Sequence, residues 1–161
     1  MINKKMAGSR LFRSALGPGT TAGLAMIPFA AVLRGLGLRV NEYGRKILEL
    51  TVGDVAAPWR DVLMLAQHLV ISWIAALPLL FLLRRVRRRA RRVLIGTGYG
   101  AVFYIMMNSL ALPLAFGDPT PWQLGPLVVL PSLVVHLVYG IVLGFLAPGA
   151  GEPPGRCAGR S

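Results

Sequence analysis

Apolar residues of this chain fall into four long runs, separated by short segments that are charged or rich in turn-forming residues. The runs cover residues 19–38, 62–83, 93–116 and 123–147. A bilayer core is about 30 Å thick, so a helix rising about 1.5 Å per residue needs about 20 residues to cross it. Each run reaches that length. The pattern predicts an all-α fold, a polytopic membrane four-helix bundle.

The predicted spans differ in how clearly they are bounded. Residues 62–83 carry no charge and form the clearest span, whereas the first run contains Arg34, whose side chain would have to extend to the headgroups. The third run ends at residues 117–119, Gly-Asp-Pro, where proline removes the donor that a continuing helix needs. Four spans place both termini on one side of the membrane.

The segments outside the bundle have distinct compositions. Basic residues 1–18 followed by the first apolar run have the outline of a secretory signal, but no small-x-small cleavage site follows, so we favour an uncleaved span over a three-span mature protein. The membrane domain then covers residues 19–148. Residues 149–161 are rich in Gly and Pro and are predicted to be a disordered tail. This tail holds the single cysteine, Cys157.

Seven arginines stand in nine residues between the second and third spans. They are Arg84, Arg85, Arg87, Arg88, Arg89, Arg91 and Arg92. All of the formal charge of +12 falls on the side of this loop and the termini, and the other side is neutral. Because cytoplasmic loops carry the excess of Lys and Arg, both termini are expected in the cytoplasm. Trp59 and Trp122 then lie at the outer interface, which indoles prefer.

Composition places the chain in a membrane and limits its partners. With 55% hydrophobic residues and a mean hydropathy of +0.61, a water-soluble fold would expose too much apolar surface. The charge follows topology, so nucleic acid is not an expected partner. The expected partner is the lipid bilayer. The arginines attract anionic lipid headgroups by about 1 kcal/mol per residue near the surface. The excess of Arg, Ala, Gly and Leu suggests a GC-rich bacterial genome, and hence a bacterial inner (cytoplasmic) membrane.

Residues 41–52, in the first outer loop, have a helical period of polar and apolar side chains. The apolar face carries Tyr43, Ile47, Leu50 and Thr51. The polar face carries two i, i+4 pairs, Glu42 with Lys46 and Arg45 with Glu49. This pattern predicts a short amphipathic helix that lies in the outer interface or folds over the bundle as a lid. The alternative is a solvated loop with a helical turn.

The second and fourth spans share a pattern, since His68-Leu69-Val70 recurs as His136-Leu137-Val138. Small residues follow each histidine at four and eight positions, and the third span opens with the same spacing. These residues are Ser72, Ala76, Gly140, Gly144, Gly96 and Gly100. Residues four apart share a helix face, and small faces allow close helix packing. These small-residue faces would pack against other helices of the bundle, against another copy of the chain or against another membrane protein. The pattern also suggests a duplicated helical hairpin.

Each histidine needs a polar partner inside hydrocarbon. The expected partners of His68 and His136 are an intramembrane polar cluster with Asn108 and Tyr104, or a backbone carbonyl. A second hypothesis is haem held between the two histidines. Counted from Trp59 and Trp122, the two histidines lie about 7 Å apart in depth, a difference that helix tilt could reduce. Two histidines without a nearby carboxylate or thiolate make a poor metal site, so neither metal nor cofactor is assigned.

No catalytic motif is present. The sequence lacks a Gly-x-Ser-x-Gly elbow, a His-Glu-x-x-His pair, a Cys-x-x-Cys pair and a phosphate-binding Gly-Lys-Ser/Thr loop, so we expect no enzyme. We expect a non-catalytic structural, assembly or stress-related membrane component. The alternatives are a small transporter or permease subunit, for which proline-bearing helices could open a cavity, and a haem-binding electron-transfer subunit using His68 and His136.

Three stretches carry a family resemblance. Residues 23–30 (GLAMIPFA), the glycine-rich third span and residues 136–144 (HLVYGIVLG) resemble the small bacterial inner-membrane proteins of the YagU kind. The resemblance runs over the four spans. It implies a polytopic inner-membrane protein with no established enzymatic activity or cofactor, and no catalytic residue to transfer to this chain.

Overall fold

The computed structural model describes residues 3–40 and 43–148, with side chains from residue 12 onward in those ranges. Every regular element in these ranges is a helix, which confirms the all-α prediction. The elements are α1 (Asn3–Gly35), α2 (Tyr43–Val52), α3 (Ala57–Leu83), α4 (Arg89–Phe103), the π-helical segment π1 (Tyr104–Ala111), α5 (Leu112–Phe116), α6 (Pro121–Leu124) and α7 (Pro126–Leu146). The predicted tail and its Cys157 lie outside the described residues, as does Glu42.

Four helices are long and apolar enough to cross a membrane, as predicted. They are Phe12–Gly35, Ala57–Leu83, Arg89–Phe116 and Pro126–Leu146, the third being α4, π1 and α5 in one continuous run. Their ends differ from the predicted ones. The first helix starts well before residue 19, and the third starts within the arginine loop at Arg89. The fourth starts at Pro126 rather than Gln123, because Gly125 has φ of +94° and interrupts the helix.

Glycine in the left-handed conformation ends the first and third spans in the same way. Gly37 has φ of +78°, and the Leu38 N–H reaches back to the Leu33 carbonyl at 3.0 Å. Gly117 has φ of +64°, and the Asp118 N–H reaches back to the Pro113 carbonyl at 2.9 Å. This six-to-one bond is the Schellman ending, which satisfies carbonyls left free by the last turn. Both ends are therefore set by local sequence.

The spans pack with α1 and α7 in the centre. Helix α1 contacts α3 on one side and α7 on the other, while α4 packs along α7 and α3 touches α4 and α7 only lightly. The buried core combines alanine and leucine side chains and one tyrosine from α1, α3, α7 and the residue that follows α7. Its members are Ala15, Ala22, Ala75, Ala76, Leu79, Leu80, Leu83, Tyr139, Leu143 and Ala147.

Helices α4 and α7 meet backbone to backbone through their glycines. A Cβ added at Gly100 would overlap the carbonyl of His136, and one added at Gly140 would overlap the carbonyl of Gly96. At Gly144 it would lie 2.5 Å from the carbonyl oxygen of Arg92. The predicted small-residue strips of these two spans therefore pack against each other, because only glycine leaves room for this approach.

The first hairpin uses the same kind of contact. Ser72 and Ala76 of α3 are buried, and a Cβ added at Gly23 of α1 would lie 2.6 Å from the Ser72 hydroxyl oxygen. One turn earlier in α1, Gly19 lies against Trp73. In each hairpin the histidine-bearing helix thus packs on two glycines of its partner. This similarity supports the duplicated-hairpin hypothesis, which stays a prediction.

Helix α2 forms where it was predicted, but it presents a different apolar face. Leu48 is buried and Tyr43 and Ile47 are half-buried, whereas Leu50 is 77% exposed and Thr51 is exposed. The cause is that α2 packs on the start of α3 and so turns Leu50 away from the protein. The position favours the predicted lid over a solvated loop.

Candidate functional site

A cavity of about 780 Å³ lies between α1, α2, α3, π1 and α7. Much of its wall is apolar, including Met26, Met64 and Met107. Apart from Tyr43 and Tyr139, its uncharged polar lining comes from three membrane helices: Gln67, His68, Ser72, Asn108, Ser132 and His136. The charged lining residues all belong to the ends of α1, α2 and α3 on one side of the bundle: Arg34, Arg45, Arg60 and Asp61. The cavity therefore has a charged end and a polar, uncharged interior.

His136 is held on one wall by two hydrogen bonds. Its Nδ1 lies 2.7 Å from the Ser132 carbonyl and its Nε2 lies 2.8 Å from the Asn108 amide nitrogen. Because a carbonyl only accepts, Nδ1 carries the proton and Nε2 accepts from Asn108. This is the neutral imidazole. The bond between α7 and π1 is the intramembrane partnership expected for this histidine.

The π-helical turn brings Asn108 to this position. Pro113 follows one turn later and has no N–H for the Ser109 carbonyl, and its ring needs space against the preceding turn. A widened π turn provides that space, and such turns often occur at functional sites. The sequence showed the proline, but a periodicity of 3.6 residues does not reveal the widened turn.

His68 lines the same cavity from α3. Its Nε2 lies 3.0 Å from the Gly23 carbonyl, to which it donates, and this bond joins α3 to α1. The structure therefore brings both histidines to one cavity, although each has its own partner. Haem ligation through both Nε2 atoms would require both of these hydrogen bonds to break.

Tyr104 belongs to the same cluster as His136 but does not line the cavity. Its ring centroid lies 5.4 Å from that of His136, and the side chain is fully buried. The hydroxyl groups of Tyr104 and Ser109 are buried in the same segment, π1. Of the four predicted cluster residues, His136 contacts both Asn108 and Tyr104, and His68 lines the same cavity from α3.

Three polar contacts of the site were missed in the sequence. Tyr99 and Tyr139 each donate a 2.6 Å hydrogen bond to a main-chain carbonyl of α3, and Trp73 donates at 2.8 Å to the Thr20 hydroxyl. The available signal was the residue type, since buried Tyr and Trp need a partner for their polar group. The partner could not be named without knowing which helices are neighbours.

Helix α2 is tied across the charged end of the cavity by several contacts. Lys46 forms an ion pair with Asp118 at 2.7 Å, and the ring of Tyr43 stacks on that of Phe116 at 5.9 Å. The Gln67 amide donates to the Gly44 carbonyl at 2.9 Å. Burial, and secondarily the nearby Asp118 carboxylate, raises the pKa of Tyr43, so this phenol stays neutral. Lys46 thus pairs across the bundle, while Glu42, its predicted partner within the helix, lies outside the described residues.

The comparisons with known proteins identify no relative. No family model, curated protein or solved structure matches this chain. The resemblance to proteins of the YagU kind therefore stays a prediction. In the described ranges no group of three or more His, Cys, Asp and Glu residues is placed to hold a metal ion.

Proposed function

We propose that this protein is a small permease, or the membrane subunit of one, that binds a solute in the cavity between His68 and His136. The observation that carries the proposal is the cavity itself. Pockets that bind small molecules have volumes of about 300–1,000 Å³ and combine apolar walls with a few convergent polar groups. The volume of about 780 Å³ and the mixed lining fall in that range.

The charged end of the cavity favours an anion. Arg34, Arg45 and Arg60 line it together with one carboxylate, Asp61. Guanidinium groups bind carboxylate and phosphate through two parallel hydrogen bonds. The proposed solute is therefore a small organic anion. It would pass the arginines first and then meet the uncharged polar groups of the interior.

The proposed orientation places this end outside the cell. The charge asymmetry of the sequence supports a chain with both termini and the arginine loop in the cytoplasm of a bacterium. Helix α2 then covers the outer end of the cavity. Its exposed ion pair between Lys46 and Asp118 is the kind of contact that can open at little cost.

The structural, assembly or stress-related role remains a second proposal. The small-residue strips on which it rested lie inside the bundle, where Gly96 and Gly100 meet Gly140 and Gly144. They are therefore not free to bind another protein. A haem-binding role also stays a prediction, and a Soret band in the purified protein would test it.

Flux measurements test the permease proposal directly. Purified protein is reconstituted in liposomes, and uptake of labelled lactate and aspartate, both small organic anions, is compared with empty liposomes. We expect protein-dependent uptake of at least one anion, reduced about tenfold in Arg60→Gln, because a charge-assisted hydrogen bond contributes about 1.5–3 kcal/mol. Arg39→Gln is the matched control, since Arg39 is an exposed cation next to α1 that does not line the cavity.

Two outcomes contradict the proposal. Uptake equal to that of empty liposomes for every anion would overturn an anion permease. Equal loss in Arg60→Gln and Arg39→Gln would show that only general surface charge matters. Thermal unfolding of both variants in detergent checks that each is folded before flux is compared.

A further inference from the structure

The arginine loop forms a second hollow, at the opposite end of the bundle from the charged mouth of the cavity. The hollow has a volume of about 410 Å³ and lies between the loop and the first turns of α4. Four arginines and two apolar residues line it: Arg85, Val86, Arg87, Arg88, Arg91 and Ile95. The seven arginines of the loop are therefore not equivalent, although the sequence presents them as one cluster.

Two of the other arginines have structural roles. Arg92 is buried, and its Nη1 donates to the Arg87 carbonyl at 3.0 Å, which folds the loop back over the start of α4. The guanidinium carbon of Arg89 lies 3.5 Å from the ring centroid of Phe145, so this cation anchors α4 to α7. These contacts hold the backbone of the loop in place, and the four lining arginines project from that backbone.

The surroundings of the hollow favour an anion. In sequence, no acidic residue occurs between Asp61 and Asp118. In the described ranges the carboxylates belong to the α2 side of the molecule: Glu49, Asp54, Asp61 and Asp118. The first turn of α4 also has no side-chain cap at Arg88, so its N–H groups and helix dipole add positive potential.

The walls of the hollow favour a lipid over a soluble anion. Ile95 belongs to a membrane-spanning helix, and the neighbouring Leu94 is 72% exposed. Val86 packs against the apolar core, so the loop itself is held at the end of the spans. A ligand here would meet cations at one end and apolar membrane-facing surface at the other. That is the polarity of a phospholipid.

We propose that the hollow lined by Arg85, Arg87, Arg88 and Arg91 binds the phosphate headgroup of an anionic phospholipid, with an acyl chain along the α4 surface at Leu94 and Ile95. This site is separate from the cavity and does not depend on the permease proposal. It goes beyond general attraction of cations to a charged membrane, because it assigns the contact to particular arginines. Arg84 takes no part in it, since this residue does not line the hollow.

The test measures lipid retention by the purified full-length chain. Native mass spectrometry counts bound phosphatidylglycerol and phosphatidylcholine after exchange from mixed micelles. We expect preferential retention of phosphatidylglycerol. Affinity for this lipid should be about tenfold lower in the double variant Arg87→Gln/Arg88→Gln, because the lipid phosphate loses charge-assisted hydrogen bonds. The matched control Arg13→Gln/Arg84→Gln removes the same charge from the same side, outside the hollow, and should change affinity by less than about twofold.

A second variant separates geometry from charge. Arg87→Lys/Arg88→Lys keeps the net charge but loses the planar fork that binds phosphate through two hydrogen bonds, so affinity should still fall. Equal weakening in the two glutamine doubles, or full retention in the lysine double, would show general electrostatics and overturn the site. Competition by inorganic phosphate as effective as that by the lipid would overturn the lipid assignment. Equal retention of phosphatidylcholine would do the same.

Discussion

Single side chains set how closely the helices approach, and the glycines of α4 show this at the scale of one atom. Gly96 and Gly100 face α7 and leave no space for a methyl group, whereas Gly98 has nothing within 4 Å of its would-be Cβ. All three look alike in the sequence. Spacing by four residues identified Gly96 and Gly100 as packing residues, but their contact with Gly140 depended on which helix lay opposite.

We predict that Gly100→Ala destabilises the bundle and that Gly98→Ala does not. The added methyl group at Gly100 would collide with the His136 carbonyl, and overpacking of this kind costs about 1–3 kcal/mol. Gly98→Ala changes only helix propensity, which favours alanine by up to about 1 kcal/mol. Thermal unfolding in mild detergent measures both. A Gly100→Ala protein at least as stable as Gly98→Ala would contradict the close helix contact.

The partners of the polar residues were predictable only in part, because the sequence named Asn108 and a backbone carbonyl as candidates without assigning either to one histidine. The sequence required partners for His68 and His136, and the structure provides the Gly23 carbonyl for one and Asn108 for the other. The 68-residue separation of the two histidines is no guide to their contacts, because partners are set by helix rotation and depth.

At the scale of elements, α2 and π1 convert a plain bundle into one with a covered cavity. Helix α2 was predicted from its amphipathic period, and its ten residues form the helix Tyr43–Val52. Its docking was not predictable, since Lys46 pairs with Asp118 from the other hairpin. The π segment was not predicted at all. Both elements contribute lining residues to the cavity.

We predict that Lys46→Ala opens the covered end of the cavity. An exposed ion pair contributes about 0.2–1 kcal/mol, so the open population should rise by no more than about fivefold. The readout is alkylation of Ala75→Cys by a polar maleimide in a Cys157→Ser background, because Ala75 is buried and lines the cavity. Arg39→Ala serves as the control and should leave the alkylation rate unchanged. An unchanged rate in Lys46→Ala would mean that the ion pair does not hold α2 closed.

At the scale of the whole molecule, the charge distribution separates the two ends of the bundle. The arginine loop, from Arg84 to Arg92, caps one end, and the short connection at Asp118 caps the other beside α2. The four apolar spans and the uneven distribution of charge between the two ends could both be predicted from composition along the chain. Both features could be predicted because they do not depend on contacts between particular residues.

We predict that the α2 side faces outward and that the arginine loop faces the cytoplasm. In a Cys157→Ser background, Asp54→Cys should react with a membrane-impermeant maleimide in intact bacteria expressing the chain, because Asp54 is exposed next to α2. Arg88→Cys should react only after permeabilisation. If Arg88→Cys reacted in intact bacteria and Asp54→Cys reacted only after permeabilisation, the orientation inferred from the positive-inside rule would be wrong.

The sequence by itself determined the helical fold, the number of spans, the position of α2 and the small-residue faces. These properties are local, because length, hydropathy and residue spacing along one helix are read without knowing its neighbours. Only the tertiary structure decided that His68 and His136 line one cavity, that Lys46 pairs with Asp118, and that four of the seven arginines share a hollow. Those contacts depend on the rotation and depth of each helix, which neighbouring helices impose through packing.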